Sequence, residues 1–343
     1  MKALWLALAA VIPFTAVAVE SVVPEPTRQF EIRNDRAYLG GKQVKLWGIR
    51  AGNGLMSTAV TERYVRNLDN MKAHGINALL VYIMGSNTGW PEEWGANNGF
   101  ERNGSLKPDF ARRLEWLIRE ADARGMVVGV GIFTPRNVAN MDNDESFHRA
   151  LNETGTFLRE RGLRNVFVDI MHEYNHRRVV PEMFKEPNGA RKKAQLHAWL
   201  KEANPDVPAG VCPTIDSGTE SLYPGADIVI IQKEMPIPAK GFVVNVEMHK
   251  RDNYDRDGVF TPEGIAESYA WFESYHKAPN AVLFFHAAFI QGVTGRSGSA
   301  PHAEMGGVGT ADDPGVRWYY EWVRDHVGRW EYPRHVSVSV SKR

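Results

Sequence analysis

Short apolar runs alternate with amphipathic segments along nearly the whole chain, and this order limits the folds available to it. Eight runs have the length and composition of buried β-strands, and most are followed by apolar residues at helical spacing. The predicted strands cover residues 44–49, 76–84, 126–133, 166–171, 207–212, 227–232, 242–246 and 281–285. This order predicts an α/β fold, a (β/α)8 TIM barrel in a single domain. A doubly wound sheet is the alternative, but the RAGNG stretch at 50–54 lacks the glycine spacing of a dinucleotide-binding turn.

Helix start and stop residues fall between these strands. Thr61 is predicted to cap the first helix, which ends at Gly75, and Pro108 opens the second, which ends at Gly125. Further helices are predicted over 145–161, 190–203, 262–276 and 314–327, with a weaker one over 215–223. Residues 30–32 and 37–39 flank a turn and predict a small N-terminal β-hairpin ahead of the barrel. We therefore expect one domain over 30–335, followed by a C-terminal tail over 336–343.

The first 18 residues have the pattern of a secretory signal peptide. Lys2 supplies a positive start, residues 3–19 are almost wholly apolar, and Ala16-Val17-Ala18 is suited to signal cleavage. A membrane anchor is the alternative, but Pro13 interrupts a run that is short for a membrane span of about 20 residues. The sequence therefore predicts a secreted or periplasmic protein with a leader over 19–29 and no membrane association after cleavage.

Charge and cysteine content exclude several classes of partner and site. The chain has 41 basic and 41 acidic side chains, so its formal net charge is zero. A nucleic-acid partner needs a basic surface, and none is expected here. Cys212 is the single cysteine, which excludes an intrachain disulfide and any metal site built from several cysteines.

Two glutamates follow strands that face each other across the predicted barrel. In a TIM barrel the functional residues lie where the strands end, at the carboxyl-terminal face. Glu173 follows the fourth strand and Glu247 follows the seventh, so both carboxylates are predicted to point into one cleft. Cleavage of a glycosidic bond with retention needs one carboxylic acid and one carboxylate about 5–5.5 Å apart. The sequence therefore predicts Glu173 and Glu247 as a catalytic pair; the alternative is that each is an ordinary strand-end charge in an ion pair.

Polar and aromatic residues near the other strand ends are candidates for substrate binding. Arg50 ends strand one and is expected to orient the nucleophile or lower its pKa; an ion pair that closes the barrel end is the alternative. Trp90 follows strand two and is expected to stack on the apolar face of a sugar ring, unless it packs the loop onto the barrel. The remaining candidates are His172, Asn175, Gln232, His249 and His286. The Gly/Ser-rich segment 292–309 is expected to wall the cleft.

His172-Glu173-Tyr174-Asn175-His176 also matches the H-E-x-x-H pattern of zinc proteases. That chemistry needs both histidines on one face of a helix. Here the preceding residues predict a strand, and residues 177–181 are poor helix formers. No metal site is predicted, and no cofactor is expected because two carboxylates suffice for glycoside hydrolysis.

The sequence resembles clan A of the glycoside hydrolases over nearly all of residues 30–330. The stretch KLWGIR at 45–50 is similar to the first strand of the clan, and NLDNMKAHGINALLVYI at 67–83 is similar to its helix-then-strand step. SLKPDFARRLEWLIREADARGMVVGVGIF at 105–133 resembles the next step. The cellulase-like family 5 is the first choice within the clan. The resemblance implies that Glu173 is the general acid/base and Glu247 is the nucleophile.

The chain departs from the clan pattern at two places. The clan usually has Asn before its acid/base, whereas this chain has His172, in a context also similar to the His-Glu of mannanase-like family 26. The family 5 His-x-Tyr on strand six is missing, and Ile231-Gln232-Lys233-Glu234 stands there. The sequence still predicts a retaining glycoside hydrolase that acts on a β-linked polysaccharide or oligosaccharide. A catalytically silent carbohydrate-binding barrel is the alternative that these departures leave open.

Overall fold

A computed structural model describes most of the chain. The described residues are 24–86, 98–135, 137–176, 189–214, 225–248, 260–287, 290–291, 307, 309–310 and 315–332. The expected signal peptide, the weaker helix over 215–223 and the C-terminal tail lie outside them.

A small antiparallel sheet precedes the barrel. Its strands, in the order β1-β2-β3, are β1 (Phe30–Arg33), β2 (Arg36–Leu39) and β3 (Lys42–Val44). The sequence predicted only the hairpin of β1 and β2, and it assigned Val44 to the first barrel strand. Gly40 and Gly41 have φ angles of 52° and 76°, so the chain turns back there and the next three residues pair with β2.

Eight parallel strands then form the predicted barrel. They are β4 (Trp47–Arg50), β5 (Ala78–Tyr82), β6 (Val127–Phe133), β7 (Val166–Met171), β8 (Ala209–Gly210), β9 (Val229–Ile231), β10 (Val243–Met248) and β11 (Ala281–Phe285). Their spatial order is β8-β7-β6-β5-β4-β11-β10-β9. The two end strands approach each other, because the backbone N–H groups of Asp227 and Ile228 donate to Ala209 O at 3.0 and 3.3 Å. The single eight-stranded TIM barrel is confirmed.

The seam between β8 and β9 depends on one carboxylate. Asp227 Oδ2 accepts hydrogen bonds from Ala209 N at 3.0 Å and Lys201 Nζ at 3.0 Å, and it lies 3.3 Å from His197 Nε2. Burial raises the pKa of Asp227, but the bonds to His197 and Lys201 outweigh burial and hold the pKa below its ordinary value. The carboxylate therefore stays charged and links β8 and the residues just before β9 to the helix between β7 and β8.

Six α-helices and one 3-10 helix (Asn137–Asn140) lie in the described part of the chain. The α-helices are α1 (Thr58–Ala73), α2 (Pro108–Ala123), α3 (Asp144–Glu160), α4 (Gly189–Ala203), α5 (Pro262–Lys277) and α6 (Arg317–His326). Every residue of β5, β6 and β7 is buried, as expected for parallel strands covered by helices. None of the described helices is both long and apolar enough to cross a membrane.

The first helix begins one turn earlier than predicted. Ser57 is its N-cap, and Ser57 Oγ accepts from Val60 N at 3.3 Å. Thr61 lies inside the helix, where its hydroxyl donates to Gly54 O at 2.7 Å. Thr61 was predicted as the cap because either hydroxyl residue suits that position in sequence. The last turn fits the prediction, since Gly75 has a φ of 83° directly after the helix.

An aromatic cluster closes the end of the barrel opposite the candidate site. The Phe30 ring on β1 lies 6.1 Å from the Phe167 ring and 6.3 Å from the Phe242 ring, and Phe167 lies 5.6 Å from Phe284. Thr27, in the expected leader, is buried beside this end and its N–H donates to Gly162 O. The polar interior of the barrel therefore begins above this apolar floor, toward the carboxyl ends of the strands.

Candidate active site

The two glutamates lie at the carboxyl ends of β7 and β10. Glu173 lies two residues after the end of β7 and has a φ of 50°, in a turn in which His176 N donates to Glu173 O at 2.9 Å. Glu247 is 6% exposed, whereas Glu173 is partly exposed. Burial lowers the pKa of Arg50, but the charges of Glu247 and Glu173 both act on this guanidinium, and the net effect raises its pKa. The charges of both carboxylates therefore act on the same guanidinium.

Glu247 is held as an anion by the basic side chains around it. Arg50 Nη1 donates to Glu247 Oε2, His172 Nε2 lies 3.2 Å from the same oxygen, and Lys233 Nζ lies 3.8 Å from Oε1. Burial raises the pKa of Glu247, but the Arg50 charge and the neighbouring histidines outweigh it and hold the pKa well below its ordinary value. An ionised and oriented carboxylate of this kind suits a nucleophile.

Backbone contacts between β9 and β10 fix where Glu247 points. The pairing of β10 with β11 shifts register between Asn245 and Met248, which is a local irregularity beside the site. Asn245 Oδ1 accepts from Glu247 N at 3.0 Å, and Asn245 Nδ2 donates to Lys233 O and Tyr275 Oη, both at 2.8 Å. Lys233 has a φ of 49°, and its N–H donates to Glu247 O at 3.1 Å. Hydrogen bonds at both the N–H and the carbonyl oxygen of Lys233 therefore stabilise its strained backbone conformation.

Tyr82, Asp169 and His172 form a buried polar cluster at the base of the site. Tyr82 Oη donates to Asp169 Oδ2 at 2.9 Å and lies 3.4 Å from His172 Nδ1. The guanidinium carbon of Arg50 lies 5.0 Å from the centre of the Tyr82 ring. Gly131 on β6 leaves room for this ring, because a Cβ at Gly131 would collide with it. Burial is the main reason that the pKa of Asp169 rises to about 6, and the His172 charge opposes it.

A second group of buried polar residues supports Arg50 from the other side. Arg50 Nη2 donates to Ser86 Oγ at 3.4 Å, and Gln291 Nε2 donates to the same oxygen at 3.0 Å. Gln291 Oε1 accepts from Gly52 N at 2.8 Å, and Gln291 Nε2 also contacts His286 Nε2. Sequence reasoning missed Ser86, Gln291, Tyr82, Asp169 and Lys233. The position of Ser86 and Gln291 just after strands two and eight is the signal that could have identified them.

The structure brings together only part of the predicted substrate-binding set. Arg50, His172 and His286 lie around Glu247, as described above. Asn175 Oδ1 accepts from Thr214 N at 2.8 Å, and Gln232 Nε2 donates to Pro213 O, so both side chains brace backbone after β8. Trp90, His249 and most of the 292–309 segment lie outside the described residues.

The H-E-x-x-H pattern does not have the geometry of a zinc helix. Residues 172–175 form a turn after β7, and His172 is 2% exposed inside the barrel whereas His176 is partly exposed. The two histidines therefore do not share a helical face. Among the residues that the structure describes, no group of three or more His, Cys, Asp or Glu side chains is arranged to hold a metal ion.

Arg50→Met is expected to destabilise the protein strongly. Arg50 and Glu247 are 1% and 8% exposed as side chains, so the variant would leave a buried carboxylate without its guanidinium. The expected loss in unfolding free energy is about 3–5 kcal/mol, measured by urea denaturation at pH 7. Glu247 has a lowered pKa when folded, so the stability it contributes is present above its ordinary pKa and is lost as the pH falls. The difference between variant and parent should therefore shrink in acid.

Arg66→Met is the matched control for this experiment. Arg66 pairs with Glu62 on the surface of α1, and their side chains are 76% and 42% exposed. Exposed pairs contribute about 0–1 kcal/mol, so this control should unfold close to the parent. Equal losses in the two variants would contradict a special role for the buried pair.

Comparison with known proteins finds solved structures with a similar fold and low sequence identity. Neither a family model nor a curated protein matches the sequence. A Bacteroides vulgatus protein described as a candidate glycoside hydrolase aligns with TM-score 0.58 and 13% identity, covering 81% of this chain and 60% of that protein. The chain thus spans less than two thirds of that relative.

Two further structures match over nearly their whole length. The β-mannanase of the blue mussel Mytilus edulis aligns with TM-score 0.52 and 11% identity, covering 89% of this chain and 98% of the mannanase. A cellotetraose complex of the endocellulase from Pyrococcus horikoshii aligns with TM-score 0.54 and 13% identity, covering 88% of this chain and 99% of the endocellulase. The resemblance to clan A is therefore confirmed at the level of the fold: the chain has the barrel fold of cellulases and mannanases.

Proposed function

We propose that the protein is a retaining glycoside hydrolase that cleaves β-glycosidic bonds in a polysaccharide or oligosaccharide. The observation that carries the proposal is the state of Glu247, a buried anion at the carboxyl end of β10 that Arg50 and His172 contact. The partly exposed Glu173 lies two residues after the end of β7, and its charge acts on the Arg50 guanidinium that pairs with Glu247. Two carboxyl groups with such different surroundings suit the two roles that retention needs.

The mechanism assigns one role to each glutamate. Glu247 attacks the anomeric carbon while Glu173, as the acid, gives its proton to the leaving oxygen, so a glycosyl-enzyme ester forms. Glu173 then takes a proton from water, which attacks the same carbon and releases Glu247 as the carboxylate. Arg50 and His172 orient Glu247 and stabilise its charge before attack and after release. These two carboxyl groups suffice for both steps of the reaction, so the proposed mechanism assigns no step to a metal or cofactor.

The substrate is proposed to be a β-linked glycan, which the protein binds after its own export. The structural neighbours include a β-mannanase and an endocellulase bound to cellotetraose, which supports a neutral polysaccharide substrate. The zero net charge agrees with a substrate that no charged surface needs to attract. We further propose that the N-terminal segment directs secretion or periplasmic export, on the sequence pattern alone.

A substrate screen tests the proposal. The purified protein is incubated with β-glucans, mannans, xylans and galactans, and new reducing ends are measured. On the substrate that reacts, proton NMR of the first product is expected to show the β-anomer before mutarotation, because two displacements retain configuration. An α-anomer formed first would exclude the double displacement. Glycan binding by calorimetry without any product would instead support the silent binding barrel, which the His172 departure makes a distinct candidate.

A further inference from the structure

A buried carboxylate lies beneath the proposed nucleophile. Asp169 is fully buried in β7, and its Oδ2 accepts from Tyr82 Oη at 2.9 Å and lies 3.8 Å from His172 Nδ1. Asp169 Oδ1 has no hydrogen-bond partner among the described residues. The attack and release steps above make no use of this group. A buried charge of this kind persists only where other groups compensate for its burial.

The His172 ring lies between two carboxylates. Its Nδ1 faces Asp169 and Tyr82, and its Nε2 lies 3.2 Å from both Glu247 Oε2 and Arg50 Nη2. A neutral ring with its proton on Nδ1 accepts from Arg50 at Nε2. A ring protonated on both nitrogens donates from Nε2 to Glu247 instead. In both states Nδ1 carries a proton toward Asp169.

We propose that Asp169 is a positioning residue that, with Tyr82, fixes the Nδ1 proton of His172 and thereby controls whether Nε2 accepts from Arg50 or donates to Glu247. The effect of Asp169 on the His172 proton can be measured without any enzyme activity. Its consequence for catalysis rests on the proposed function. A carboxylate that faces one nitrogen of an imidazole fixes the tautomer and favours the protonated ring. His172 places an imidazole, which can carry a proton on either nitrogen, within 3.2 Å of the proposed nucleophile.

The groups that contact His172 come from four strands. Arg50 is on β4, Tyr82 on β5, Asp169 on β7 and Glu247 on β10. Lys233 after β9 and His286 after β11 act on Glu247, and the buried Cys212 thiol after β8 acts on Asp169. Asp169 attracts a proton to Nδ1, whereas Glu247 attracts one to Nε2. Removing the Asp169 charge should therefore let the ring carry its proton on Nε2 instead of Nδ1.

The direct test reads which ring nitrogen of His172 carries a proton from the 15N NMR chemical shifts of the ring at one fixed pH. In Asp169→Asn the Nδ1 signal is expected to move from the protonated toward the unprotonated position, because the carboxylate no longer holds the Nδ1 proton, and in Tyr82→Phe it should move by a smaller step. Tyr319→Phe is the control, because it removes another buried hydroxyl, which donates to Gly48 O at 2.8 Å. The His172 signals in this control should match those of the parent. Unchanged His172 signals in both Asp169→Asn and Tyr82→Phe would overturn the proposal.

A double-mutant cycle tests the consequence for catalysis. The substrate is an aryl glycoside with a good leaving group, because its cleavage needs little protonation by an acid. Asp169→Asn alone is expected to lower kcat about 10- to 100-fold, as for other carboxylates that orient a histidine. In a His172→Asn background the same change should have little further effect, since Asp169 acts through His172. Equal losses in both backgrounds would show a merely structural role. If the NMR shift is found and no glycoside is cleaved, the proposed function fails and the positioning role stands.

Discussion

Glu247→Gln is expected to lower turnover of the glycan substrate by about 10^4-fold or more. The amide has the shape of the carboxylate but cannot attack the anomeric carbon, and loss of a nucleophile costs factors of this size. The variant should still fold, at lower stability, because Arg50 remains buried and loses its anionic partner. Reducing ends are measured on the substrate identified by the screen, and circular dichroism checks the fold.

Rescue by an external nucleophile separates loss of the attacking group from general damage. Glu247→Ala opens space beside the anomeric carbon, so azide is expected to restore turnover of an activated aryl glycoside and to give the α-glycosyl azide by one displacement. Glu62→Gln, which changes an exposed carboxylate on α1, is the control and should keep parental activity. Full activity in Glu247→Gln would rule out its assignment as the nucleophile.

Glu173→Gln is expected to cost about 10^2- to 10^4-fold on the natural glycan and less on activated aryl glycosides. A substrate with a good leaving group needs no proton from Glu173 in the first step, whereas a sugar leaving group does. The second step also loses its base, so the glycosyl-enzyme should accumulate and appear as a burst of aryl product. Pre-steady-state kinetics on the two kinds of substrate provide the measurement.

The pH profile and the stereochemistry of rescue distinguish Glu173 from a group that only binds sugar. The alkaline limb of kcat/KM on the natural glycan reports the protonated acid and should be absent in Glu173→Gln. Azide should attack the accumulated glycosyl-enzyme and give the β-glycosyl azide, the opposite anomer from the Glu247→Ala product. Equal losses on both kinds of substrate, with the alkaline limb retained, would contradict the acid/base assignment.

Long apolar runs made the barrel predictable. The runs that became β7 and β11 were predicted with the observed bounds, because each is a short stretch of five or six residues that is buried throughout. Pro108 and Gly125 bounded α2 as predicted, since one suits the first helical turn and the other a positive φ of 68°. The end of strand seven was wrong by two residues, because β10 continues to Met248 and Glu247 lies inside it rather than after it.

Of the contacts around Glu247, the sequence predicted the one with Arg50 but not the one with His172. Arg50, His172 and Glu247 come from β4, β7 and β10, and only the closed barrel brings their side chains within hydrogen-bond distance. Asn175 and Gln232 were predicted to bind substrate, and in the structure their side chains bind backbone at Thr214 and Pro213; substrate binding by either residue stays a prediction. An amide serves either purpose, and sequence patterns do not distinguish the two.

The seam between β8 and β9 gives the protein a point of acid sensitivity remote from the chemistry. β8 has two residues, and Asp227 joins the barrel ends by accepting from Ala209 and Lys201. The pKa of Asp227 is lowered in the folded state. The stability that Asp227 supplies is therefore present when the pH is above its ordinary pKa, and it is lost as the pH falls through the lowered pKa. Because β9 leads directly to Lys233, which holds the backbone of Glu247, local opening there would inactivate the molecule before the rest of the barrel unfolds.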